Sequence, residues 1–160
     1  MGHKIKLGQV VIDKVSGLKG YVTSKTETIA GVTQWGIQPR VDPEKMTIPD
    51  GTNIDGFMLQ VEDKGVSEEI PDEDTDVKVK LGDRVKDTVT ELEGITSEKH
   101  IFLNGCVFFT VTSNRFDNFG NVIKRTVNHR LLELIEKKPT AKSAEARPST
   151  GGPTRRAPKQ

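Results

Sequence analysis

The residue types that carry most protein chemistry are few in this 160-residue chain, and their spacing does not suit them to it. There are three histidines, His3, His100 and His129, and one cysteine, Cys106. No histidine has a His, Cys or Asp neighbour at metal-ligand spacing, so no zinc site is expected. The chain has no GxxxxGK[ST] loop to cradle a phosphate. Neither a serine nor the cysteine lies in a nucleophile context such as GxSxG. The chain is therefore read as a non-enzyme, with no catalytic residue, no cofactor and no metal. A single cysteine excludes an internal disulfide and fits a reducing compartment. Cys106 is read as a small hydrophobe rather than a reactive thiol.

Two carboxylates do invite attention, because they recur. Asp13 and Asp87 lie 74 residues apart in segments that match each other without a gap. Residues 6–37 and 80–111 share 10 of 32 positions: Lys6/Lys80, Leu7/Leu81, Gly8/Gly82, Val11/Val85, Asp13/Asp87, Val15/Val89, Leu18/Leu92, Gly20/Gly94, Lys25/Lys99 and Gly31/Gly105. The match resumes after one deleted residue, placing Ile54–Val61 over Val127–Leu134. Self-similarity at a fixed period signals a repeated structural unit. One carboxylate per unit, just ahead of a turn, is expected to accept N–H bonds within that turn rather than to catalyse.

Each unit reads as about five short strands: strand, tight turn, strand, hairpin, strand, long loop and final strand. β-Branched residues and Thr dominate, with turn residues at short spacing. The expected fold is all-β, with two tandem SH3-like barrels related by duplication and an extended tail. Gly8, Asp13, Gly20 and Gly31 define the first unit, and Gly82, Asp87, Gly94 and Gly105 the second. Gly20 and Gly94 are expected at a positive φ or a crowded backbone position. Ala30-Gly31 and Asn104-Gly105 read as hairpin tips. Trp35 and Phe109 occupy equivalent positions and are read as core aromatics. IDGFMLQV and VNHRLLELIE are both read as strands. Phe116 and Phe119, beside Gly120, are read first as a loop packing onto the barrel. Their second reading is as partner contacts.

The units are expected at 1–62 and 80–136, the first with seven basic and seven acidic residues, the second with eight of each. Between them, 63–79 carries a net −5, and 137–160 a net +6. The linker is credited with Val66 and Ile70 alone as buriable residues; it either holds the barrels apart or docks along one. The tail is basic, rich in Pro, Ser and Gly, and too polar to order itself. Its candidate partner contacts are Lys137, Lys138, Lys142, Arg147, Arg155 and Arg156. No signal peptide or membrane association is expected, since no apolar run approaches a span's length.

The residues LGxxVxDxVTGxxG…LNGCVxxTV resemble a family of small proteins of tailed bacteriophages. The match is best at Leu81–Thr90, Gly94 and Leu103–Val107, and looser in the first unit, where Ala30 replaces Asn104 and Val32 replaces Cys106. The resemblance implies a virion component assembled in the host cytoplasm, such as a capsid decoration or head-stabilising protein or a small head–tail component. Its partners would then be the major capsid protein or other virion proteins, met in multiple copies. LGQVVIDKVSGLKGYV also resembles KOW and Tudor modules, giving a nucleic-acid-binding or regulatory module as the alternative. Phosphate-dominated binding needs surplus Lys and Arg. Since each unit is neutral, nucleic acid is expected through the tail only.

Overall fold

Residues alternating between apolar and polar build the strands. Trp35 and Ile37 point to one side of β3 (Thr33–Gln38), and Val107, Phe109 and Val111 do the same along β8 (Val107–Phe116). The computed structural model describes residues 4–138. These hold ten strands, β1 (Val10–Asp13), β2 (Lys19–Thr28), β3, β4 (Thr52–Asp55), β5 (Leu59–Asp63), β6 (Arg84–Asp87), β7 (Glu93–Phe102), β8, β9 (Val122–Asn128) and β10 (Leu132–Glu136). All pairings are antiparallel within one sheet. The expected final strands are interrupted. Each half places a single 3₁₀ turn, Gly56–Met58 or His129–Leu131, between its last two strands.

The sheet is not closed; β4, β5, β9 and β10 each pair on one side only. The long strands connect the two halves. β3 lies along one edge of β2 from Tyr21 to Glu27. β1 takes the other edge at Lys19–Tyr21, and β7 takes it from Ser24 to Thr28. The part of β2 that β1 leaves unpaired is thus used to join the halves.

That junction is symmetric. Thr26 pairs with His100, Lys25 with Ile101, Glu27 with Lys99, Ser24 with Phe102 and Thr28 with Glu98. Residues 74 apart face each other at the centre, and every other pair maps onto its reciprocal. A pseudo-two-fold axis therefore passes between Thr26 and His100, the arrangement of an isologous contact. Both long strands carry a register shift at equivalent positions, between Val22 and Ser24 and between Thr96 and Glu98. Such bulges bend a strand and increase its twist.

Each half has its own core. Ile5, Val11, Val22, Trp35, Ile37, Ile54 and Leu59 form one, with Val79, Val85, Ile101, Val107, Phe109 and Val111 forming the other. Leu7 packs against both. The 63–79 segment docks rather than holding the halves apart. Its Val66 N–H donates to Gly8 O at 3.0 Å, and its Asp74 N–H donates to Gly105 O at 2.9 Å. The reading of Val66 and Ile70 as its only buriable residues is corrected: Val79 is buried and Val77 packs beside it. Val66 itself stays exposed.

Gly20 and Gly94 sit where backbone crosses closely. A Cβ on Gly20 would lie 2.5 Å from Gln38 O, and one on Gly94 would strike Thr112 O. Neither has a positive φ, so crowding, not conformation, demands glycine here. Gly20→Ala and Gly94→Ala are each expected to lower unfolding free energy by about 1–3 kcal/mol, as overpacking does. Urea titration checks this, and unchanged midpoints would contradict the close crossing.

Candidate interaction surface

Asp13 and Asp87 each organise a turn. Asp13 accepts from Val15 N–H at 3.0 Å and from the Ser16 hydroxyl at 2.6 Å. Asp87 repeats this with Val89 N–H at 3.0 Å and Thr90 at 2.5 Å. The second unit adds an ion pair between Arg125 and the fully buried Asp87 carboxylate. The Ser16 hydroxyl, then the Val15 N–H, hold the Asp13 carboxyl below its ordinary range. Burial pushes Asp87 up, but Thr90, Val89 and Arg125 together outweigh it and leave it lowered.

His100 sits on the pseudo-dyad with both ring nitrogens engaged. Nδ1 lies 2.9 Å from Thr26 Oγ1 and Nε2 lies 2.9 Å from Thr110 Oγ1. Thr110 continues to Thr126 at 2.8 Å. A polar chain thus crosses β2, β7, β8 and β9 on the face opposite the cores. Burial lowers the imidazole's basicity, and the Glu98 carboxylate only partly offsets this. Cys106 lies half-buried beside Phe102 and Phe108 in a shallow surface depression.

Folding gathers one group that sequence spacing did not reveal. Asp74, Asp76 and His129 bring ligand-type atoms within 4.8 Å of one another. His129 Nε2 already bonds Asp74 at 3.0 Å, and the Arg130 guanidinium pairs with both carboxylates, at 3.8 and 3.5 Å. The negative charge is answered from within the chain.

The clearest interaction features are two loop tips. Phe116 ends β8 at 65% exposure, and Phe119 stands 89% exposed in the β8–β9 turn. The expectation that they pack onto the barrel is overturned. The turn is held by Asp117, whose Oδ1 accepts from Phe119 N–H at 2.8 Å and Asn121 N–H at 2.9 Å. Those two N–H groups, Asn121 first, lower the Asp117 carboxyl as well. Val122 and Ile123 add partly exposed apolar surface behind the tip.

The loop after β3 follows the same plan with different residues, and sequence reading marked it only as a divergent loop at 40–53, without naming its exposed Met46 and Ile48. Asp42 Oδ1 accepts from Glu44 N–H at 2.9 Å and Lys45 N–H at 3.2 Å. An Asp42–Thr47 bridge closes the turn. Gln38 Nε2 clamps its neck by donating to Pro49 O at 2.8 Å and Pro39 O at 3.1 Å. Met46 and Ile48 are then held 77% and 72% exposed. Met46 adopts φ 53°, the left-handed region that non-glycine residues avoid and that costs on the order of 1–3 kcal/mol.

Comparison of the chain with protein-family models, with curated proteins and with solved structures finds no match. The site is therefore argued from its own geometry.

Of the tail contacts, Lys138 is tied to the second half, its N–H donating to the buried Asp83 Oδ1 at 2.8 Å. Lys137 is exposed beside it. Lys142, Arg147, Arg155 and Arg156 lie outside the described residues.

These titrations set a direction for acid stability. The folded imidazole of His100 holds its proton less well than the ordinary value of 6.5. The unfolded chain therefore binds more protons as pH falls below about 6.5, and stability drops there. The lowered Asp13, Asp87 and Asp117 contribute stability above their ordinary 3.8, which is lost as pH falls through their folded values. Two acid steps are expected in urea midpoints between pH 8 and 2, and His100→Gln should remove only the upper one. A variant that keeps both steps would contradict the burial assigned to His100.

Proposed function

We propose that this chain is a non-enzymatic structural protein of a tailed-bacteriophage particle. In this reading it is a capsid decoration or head-stabilising protein, or a small head–tail component, and it binds other virion proteins. The phage assignment rests on the sequence resemblance. The binding role rests on one observation: both halves hold large apolar side chains out in solvent on turns stiffened by an aspartate. Burying Phe116 and Phe119 in a partner pocket would contribute about 1.5–3 kcal/mol per side chain. Because the turns are already ordered, little of that is lost to fixing the loop.

The two halves are read as products of a duplication, each built on an SH3-like plan. In support, β1 and β6, and β2 and β7, have bounds exactly offset by one repeat length, and their bulges coincide. The basic tail is assigned as a strap across neighbouring virion proteins. Lys138 anchors its start on Asp83.

Mass spectrometry of purified virions tests the reading, with the chain expected in multiple copies. Phe116→Ser/Phe119→Ser should lower its occupancy at least tenfold while leaving thermal stability unchanged. Truncation after Lys138 keeps the Asp83 contact and should also reduce occupancy. Absence of the chain from virions would overturn the proposal.

A further inference from the structure

The chain leaves both halves at equivalent places. After β5 it passes over Gly8, where Val66 N–H donates to Gly8 O at 3.0 Å. After β10 it reaches Gly82, the counterpart of Gly8. There the Lys138 side chain lies against the glycine, and its N–H donates to Asp83 at 2.8 Å. From Gly8 the acidic segment crosses to the other half. Eight residues beyond Val66, Asp74 N–H donates to Gly105 O at 2.9 Å. A Cβ on Gly105 would strike Asp72 O, with Pro71 just behind.

The pseudo-dyad exchanges the halves, so this path has a counterpart that starts at Gly82 and ends at Gly31. Among the described residues that end is uncovered. Nothing lies within 4 Å of a Cβ placed on Gly31. Gly31 is exposed, whereas Gly105 is buried. Ile29 and Val32 are exposed beside Gly31, while Leu103 and Cys106 hold the same places beside Gly105 and are half-buried. The charge is reversed as well. In the second half, Glu73 and Asp74 of the acidic segment meet Lys99, His129 and Arg130. Where that half carries Ile101 and Asn128, the first carries Glu27, paired to Lys25 at 3.1 Å, and Asp55. The 22 residues beyond Lys138 carry a net +4.

We propose that the segment after Lys138 folds back over its own first half and seats on the Gly31 hairpin, as the acidic segment seats on Gly105. β5 and β10 begin 73 residues apart, at Leu59 and Leu132. That offset brings Ala144 and Glu145 to Gly31, where Pro71 and Asp72 lie on Gly105. Lys142 and Arg147 flank them and face the Glu27 and Asp55 carboxylates, while Ile29 and Val32 are covered. The anchor at Lys138 makes docking intramolecular, at an effective concentration on the order of millimolar, so weak contacts suffice. Residues 149–160, with Arg155 and Arg156, are left for the virion contact. The fold-back therefore stands or falls separately from the virion reading.

The test uses the full chain as a monomer in solution. A nitroxide is attached through Ala144→Cys in a Cys106→Ser background, with a thermal melt confirming the fold, and amide signals are followed by NMR. Signals of Ala30–Val32 are expected to weaken several-fold more than those of Leu103–Gly105. Adding Lys142→Glu/Arg147→Glu should return most of that intensity. In a mixture of nitroxide-bearing chain with isotope-enriched chain lacking the nitroxide, the enriched chain should lose nothing. Undiminished Ala30–Val32 signals would overturn the fold-back. Loss that appears in the mixture would show the segment seated on a second copy, and would overturn it equally.

Discussion

The antiparallel pairing of β2 with β7 is the contact on which the rest of the molecule depends. It makes one sheet of two five-stranded halves and covers on each the edge that would otherwise stand open. An uncovered edge presents unpaired N–H and C=O groups to any passing strand. Here each half satisfies the other's through reciprocal pairs about Thr26 and His100. The hydrogen bond between these two side chains, continued to Thr110 and Thr126, ties four strands together across the face away from the cores. Units of about 57 residues bury only about 60% of their unfolded surface and are marginal alone. Sharing an edge lets the two stabilise each other without merging their cores.

The same pairing decides what can vary. The cores and the Asp13 and Asp87 turns are held in common, because both halves must reach the junction with the same strand length and bend. The loops after β3 and β8 lie far from the axis and carry no part of the junction. They differ in sequence, yet both end in exposed apolar residues on aspartate-held turns. The acidic 63–79 segment is less free than its charge suggests, since it passes over Gly8 and Gly105 and contributes Val77 and Val79 to the second core.

The repeat made much of the fold legible. Gly20 and Gly94, Trp35 and Phe109, and the two turn aspartates could be placed because they occupy matching positions in the two similar segments, and packing explains why. The junction was not legible. The pairing segment of β2 reads Ser24-Lys25-Thr26-Glu27-Thr28, so polar that it gives no sign of an interior strand. Its cohesion comes from backbone and hydroxyl hydrogen bonds, which leave no hydrophobic period. Two separate barrels, rather than one shared sheet, were expected for the same reason. Val79 was missed because net charge was weighed over the whole segment, although Val79 stands one repeat length from the buried Ile5. The 40–53 loop stood out as divergent, but Met46 and Ile48 were not singled out, because turns such as that at Asp42 are local and fall outside the repeat register. Phe119 was noticed, but an exposed phenylalanine and a packed one look alike in sequence.

Amide hydrogen exchange of the intact chain tests the junction most directly. With β3 on one edge and β7 on the other, successive amides from Ser24 to Thr28 donate alternately to the two neighbours. All of them should therefore exchange slowly, near the rate set by global unfolding. Alternate fast and slow amides along this segment would mean that only β3 is paired there, and would contradict the single sheet.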